Sequence, residues 1–189
     1  NKIVSEIRGF FREIDAYDLR KQTGTFKQVV IRAPAQDSSV SFVLNEKSTR
    51  LSEAIERVRE FSKTTIAKNV IVTYIAPGSE VSISENYFVV KGQDTLIEEF
   101  IGKKFRYNAQ GFFQNNSFMA DKMLDYVHEL LKKYPTKESY LLDLYGGVGT
   151  FGIVNSDLFK AVTIVESFKG SIEAAKKNIE INCIKNADA

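Results

Sequence analysis

Thirteen residues, Tyr140–Gly152 (YLLDLYGGVGTFG), constrain this chain most: an apolar run that breaks into four glycines. Such a run has strand length and must end in a tight turn, because glycine takes positive φ at no steric cost and admits another group where a Cβ would stand. Ala161–Val165 (AVTIV) is a second short strand, Glu166 stands at its end, and Ile172, Ala175 and Ile179 then recur at helical spacing. Strand, glycine loop, short helix, strand, helix is the opening of a doubly wound α/β sheet. Ligands of such sheets bind beyond the C-terminal ends of the strands.

Two ligand classes fit the loop. Gly147-Val148-Gly149-Thr150-Phe151-Gly152 is G-x-G-x-x-G, the dinucleotide fingerprint, and Asp143–Gly149 is equally the first loop of an S-adenosyl-L-methionine (AdoMet) site. Glu166, 19 residues after Gly147, is placed to accept ribose hydroxyls of either ligand. Two features favour AdoMet. Asp143 lies three residues before Gly146, where an acid needs polar partners and can order the loop. Upstream, Phe112-Phe113-Gln114-Asn115-Asn116 sets three amides at the start of a long helix marked by Phe118, Met119, Met123, Leu124, Val127, Leu130 and Leu131. Those amides either cap the helix or face the ligand. Phe112 and Phe113 read as packing against the glycine loop, with stacking on a flipped base as the alternative.

The first hundred residues have a different rhythm. Ile3, Val4, Ile7, Phe11 and Ile14 mark a helix; Lys27–Arg32 and Val40–Leu44 form a hairpin about the turn at Pro34–Ser39. Leu51, Ala54, Ile55, Val58 and Phe61 give a second helix, Val70–Ile75 a buried strand ended by Pro77-Gly78, and Val81–Ser84 a strand pairing with Tyr87–Val90. This is a small α+β domain over residues 1–102, with the α/β pattern occupying 103–189.

Composition narrows the chemistry. A single cysteine, Cys183, excludes an intrachain disulfide and a cysteine-built zinc or iron–sulfur site, which fits a cytoplasmic protein, and no metal set is expected. Cys183 reads as a small core residue and the lone His128 as solvent-facing. A net charge of +2 does not announce a nucleic-acid partner, although Lys103, Lys104 and Arg106 cluster and Lys27 and Arg32 are compatible with RNA contact. No run is long enough for a membrane span.

The stretches FRYNAQGFFQNNSFMADKMLDYV, LLDLYGGVGTFGI and VTIVESFKGSIEAAKKNIEINCIKNA together resemble the RNA uracil-C5 methyltransferases of the TrmA/RlmD type, over roughly residues 103–189. YDLRKQTGTFKQVVIR and DTLIEEFIGKKFRY resemble the family's central domain and its linker. The resemblance implies an α/β fold class: a small α+β central domain, then the first half of a class I, Rossmann-like AdoMet-dependent methyltransferase domain. It implies that Gln114 contacts the methionine portion of AdoMet, that Tyr145 lines the site beside Gly147 and Gly149 with Thr150 at its edge, and that Glu166 binds the ribose. One departure is Gly146, where many members carry cysteine.

The implied reaction forms 5-methyluridine in tRNA or rRNA after a cysteine attacks uracil C6. The nucleophile and base of that reaction are expected beyond the end of this chain, so no catalytic residue is assigned here and the chain alone is expected to be inactive. A start at Asn1 fits a piece of a longer protein. Two other readings stay open: a NAD-dependent oxidoreductase and a non-catalytic RNA-binding module. An incomplete sheet with a free edge next to Ala161–Val165 would also invite self-association.

Overall fold

A computed structural model describes residues 2–189. Its contacts divide into two compact units: one runs through Ala33 and from Asp37 to Asp94, the other holds Pro34–Gln36 and Thr95–Ala189.

In the first unit, α1 (Lys2–Phe10) precedes β1 (Phe26–Arg32), β2 (Ser39–Asn45), α2 (Leu51–Thr64), β3 (Asn69–Ile75) and β4 (Tyr87–Lys91). The sheet order is β1-β2-β3-β4. The β1–β2 and β3–β4 pairs are antiparallel, whereas β2 and β3 run parallel, joined through α2. The two central strands are buried along nearly their whole length, as strands covered on both faces must be. Phe11, Phe42 and Phe61 form the aromatic centre, Phe11 lying 4.8 Å from Phe42 and 5.3 Å from Phe61 between ring centroids.

Val81–Ser84 is not a strand. The antiparallel edge of β3 is taken by Tyr87–Lys91, and Val81 and Ile83 are exposed. Nor is Lys27 free for RNA. Its ammonium donates to the carbonyls of Ala76, Pro77 and Ser79 at 2.8, 2.9 and 2.7 Å, which uses all three of a lysine's donors.

The second unit opens with the hairpin β5 (Thr95–Phe100) and β6 (Lys103–Asn108), which straddles the 102/103 boundary read from the sequence. It continues through α3 (Ser117–Leu131), β7 (Tyr140–Leu144), α4 (Thr150–Val154), β8 (Ala161–Val165), α5 (Lys169–Ile181) and the short β9 (Ala187–Asp188). The sheet order is β7-β8-β9, parallel throughout. Ala161–Val165 is therefore the middle strand, and among the described residues no strand pairs with the outer edge of β7.

Two side-chain expectations are corrected here. His128 is buried, not solvent-facing: it continues the inward stripe of Ala120 and Leu124 at helical spacing, and its Nδ1 lies 3.1 Å from Asn155 Oδ1. Met119 and Met123 are exposed instead. Cys183 is exposed, not a core residue. It ends α5 at φ 54°, with its own N–H donating to Glu180 O at 2.9 Å and that of Ile184 to Ile179 O at 3.1 Å. Those two bonds make a Schellman cap, a position that glycine usually fills.

Candidate functional site

The apolar residues of β7 end at Leu144, and the chain turns at once through left-handed backbone. Tyr145 has φ 59°, Gly147 56° and Gly149 87°, and α4 begins at Thr150. A bulky aromatic at such a φ is uncommon and costs on the order of 1–3 kcal/mol, so the surrounding structure imposes it. Tyr145 is also 91% exposed, standing out of the loop into solvent. At Gly149 a Cβ would add to the strain of positive φ a contact of 2.8 Å with Ile164 Cδ1, a methyl that would have to shift.

Two carboxylates bracket this loop. Asp143, on β7, accepts the Gly152 N–H at 2.8 Å through Oδ2 and so ties the strand to the first turn of α4. Burial pushes its carboxyl above the ordinary aspartate value, and the Gly152 bond opposes that shift. Glu166, just past β8, reaches across to accept the Gly147 N–H at 3.1 Å through Oε2. Its Oε1 accepts the N–H groups of Ser167 and Phe168 at 2.7 and 2.9 Å. These donors, Phe168 foremost, hold its carboxyl below the ordinary glutamate value.

The fold thus gathers Tyr145, Gly147, Gly149, Thr150 and Glu166 at the C-terminal ends of two adjacent parallel strands. Gln114 is exposed, in the loop between β6 and α3. Asn116 caps α3, its side chain accepting the Met119 N–H at 3.1 Å. The aromatic pair divides. Phe113 is buried and stacked on Tyr107 of β6, with centroids 3.8 Å apart, whereas Phe112 is 72% exposed.

One buried residue of the site escaped the sequence reading. Asn178 of α5 is wholly buried and donates to Val148 O, inside the glycine loop, at 3.0 Å. The only local signal is the spacing of Asn178 and Asn182, which puts both on one face of the helix.

Residues 69–189 match the profile of the tRNA (uracil-5-)-methyltransferase family. The chain belongs to this family. Its relatives include an uncharacterised RNA methyltransferase of Caldanaerobacter subterraneus, 29% identical over 181 residues that make up 93% of this chain and 39% of that protein. Another, from Streptococcus pyogenes, is 26% identical over 192 residues, covering 99% of this chain and 41% of its own. The chain therefore spans about two fifths of the length of these methyltransferases.

Among solved structures, the Pyrococcus abyssi tRNA (uracil-54, C5)-methyltransferase in complex with S-adenosyl-L-homocysteine superposes on all of this chain and 45% of its own, with a TM-score of 0.76 at 23% identity. Trm5b of the same organism matches at a TM-score of 0.51 and 16% identity, covering 94% of this chain and 51% of its own. The fold is the Rossmann-like α/β fold of these methyltransferases. No helix among the described residues is long and apolar enough to cross a membrane.

Proposed function

We propose that this chain is the cofactor-binding part of an AdoMet-dependent RNA uracil-C5 methyltransferase that forms 5-methyluridine in tRNA or rRNA in the cytoplasm. The observation that carries the reading is the Glu166–Gly147 bond, which sets a carboxylate beside the glycine loop where a ribose would lie. A carboxylate has about four acceptor positions, so Oε2 keeps a lone pair for a sugar hydroxyl beyond the Gly147 bond. Gly147 and Gly149 let the backbone approach the cofactor, Thr150 borders the site, Tyr145 covers its open side and Gln114 holds the methionine portion. When bound, AdoMet supplies an electrophilic methyl group.

The remaining chemistry lies in polypeptide outside this chain. A cysteine thiolate adds to uracil C6, C5 takes the methyl group, and a base removes the C5 proton as the thiolate departs. No part in this is assigned to Cys183, whose backbone caps α5. The exposed Phe112 and the basic cluster of Lys103, Lys104 and Arg106 are the RNA-facing groups in this reading, stacking on bases and meeting phosphates. Taken alone the chain is inactive, and the outer edge of β7 lets copies of it associate.

The experiment is methyl transfer from tritium-labelled AdoMet to unmodified tRNA and rRNA transcripts, using the full-length protein and this chain in parallel. Label in 5-methyluridine from the longer protein only is the expected result. Label on another base, or full activity of the shorter chain, overturns the proposal.

A further inference from the structure

β6 pairs with β5 on one side only, and its other edge is closed by a helix. Asn182 of α5 accepts the Lys104 N–H at 2.9 Å and donates to the Lys104 carbonyl at 2.7 Å. Asn178 treats Arg106 alike, accepting its N–H at 2.7 Å and donating to its carbonyl at 3.1 Å. The spacing explains how a helix can do this. Four helical residues rise about 6 Å, and two strand residues span about 6.6 Å, so two carboxamides one turn apart meet alternate residues of a strand.

The two asparagines differ in one bond. The Asn182 amide gives its other N–H to its own helix, at Asn178 O. The Asn178 amide gives its other N–H to Val148 O, between two glycines of the loop, and it is wholly buried while doing so. The peptide plane that carries the Val148 carbonyl also carries the Gly149 N–H, which donates to Gly146 O at 2.8 Å. A glycine-rich loop loses more conformational freedom on ordering than any other backbone, so a fixed external partner for one carbonyl matters there.

We infer that Asn178 is a positioning residue for the cofactor: it locks the Val148–Gly149 peptide to β6 and so holds the glycine loop in its binding shape before the ligand arrives. The inference rests on the AdoMet reading of the loop. Asn182 supplies the matched comparison, sharing the strand-edge bonds but not the tie to the loop.

The test compares Asn178→Asp, Asn178→Leu and Asn182→Leu with the unaltered chain in S-adenosylhomocysteine binding and in amide hydrogen exchange without ligand. Asn178→Asp keeps the acceptor for Arg106 and loses the donors, so it remains informative if Asn178→Leu fails to fold. Both Asn178 variants weaken binding about tenfold, the scale of one lost buried hydrogen bond. They also speed exchange at Gly149, and Asn182→Leu lowers thermal stability without either effect. Equal effects of the Asn178 and Asn182 variants, or unchanged Gly149 exchange in Asn178→Asp, overturn the positioning role. Failure of the unaltered chain to bind S-adenosylhomocysteine instead overturns the AdoMet reading, while the exchange result still decides whether Asn178 orders the loop.

Discussion

Gly146 lies so close to Ile164 that a Cβ on the glycine would come within 2.6 Å of the isoleucine Cγ2. The strand behind the loop and the loop itself are thereby fitted to each other: a small residue in one permits a branched residue in the other.

Gly146→Cys is therefore expected to destabilise the fold by roughly 1–3 kcal/mol, the usual cost of overpacking. Combined with Ile164→Ala, its cost falls below the sum of the two single changes, because the clash and the cavity relieve each other. Urea unfolding of the four proteins measures this, and simple additivity would show that the contact is not what excludes a side chain there.

Tyr145 pays a conformational penalty at φ 59° while exposing almost all of its surface, so packing does not account for it. Tyr145→Gly is expected to raise stability by about 1 kcal/mol while weakening S-adenosylhomocysteine binding. Thermal unfolding and titration calorimetry on the same variant check both halves. A gain in stability with unchanged binding would remove Tyr145 from the site.

At the far end of α5, Cys183 occupies a cap that suits glycine. Cys183→Gly should stabilise the chain by roughly 1 kcal/mol, since only glycine takes left-handed φ without a Cβ penalty. A lower unfolding midpoint would mean that the thiol makes a contact worth more than the strain.

The two loop carboxylates carry opposite pH signatures. Burial raises the value of Asp143 in the fold, so its contribution is present at pH below the ordinary aspartate range and is lost as pH rises through the raised value. Hydrogen bonds lower the value of Glu166, so its contribution is present above the ordinary glutamate range and is lost as pH falls through the lowered value. Asp143→Asn keeps an acceptor for Gly152 and should unfold at a higher temperature than the parent at neutral pH, with the gap closing in acid. Glu166→Gln should unfold slightly lower at neutral pH, again converging in acid, a small effect because Glu166 faces water. Thermal scans across pH give both curves, and pH-independent gaps would contradict the assignments.

Much of the site was legible because glycine and strand periodicity are local signals. Tyr140–Gly152 and Ala161–Glu166 specify a strand, a turn and an acid within a few tens of residues, and the structure supplies those elements. Asn178 and Asn182 were not legible, since a polar residue on a helix reads as a wetted one until its partner is known. Their partners are backbone groups 72 and 78 residues away, which no window of periodicity covers. His128 failed for a narrower reason: Ala120 and Leu124, not Phe118 and Met119, define the inward face, and small alanine is a weak marker. Val81–Ser84 alternated like a strand, but pairing depends on which segment reaches the edge of β3, and that competition is tertiary.

The measurement that tests the central claim most directly is native mass spectrometry of the chain with S-adenosylhomocysteine and, separately, with NADH. The account predicts that S-adenosylhomocysteine alone binds and that Glu166→Ala weakens it by at least about tenfold, as expected for losing charge-assisted hydrogen bonds to a sugar. Binding of NADH in its place, or S-adenosylhomocysteine binding indifferent to Glu166→Ala, would contradict it.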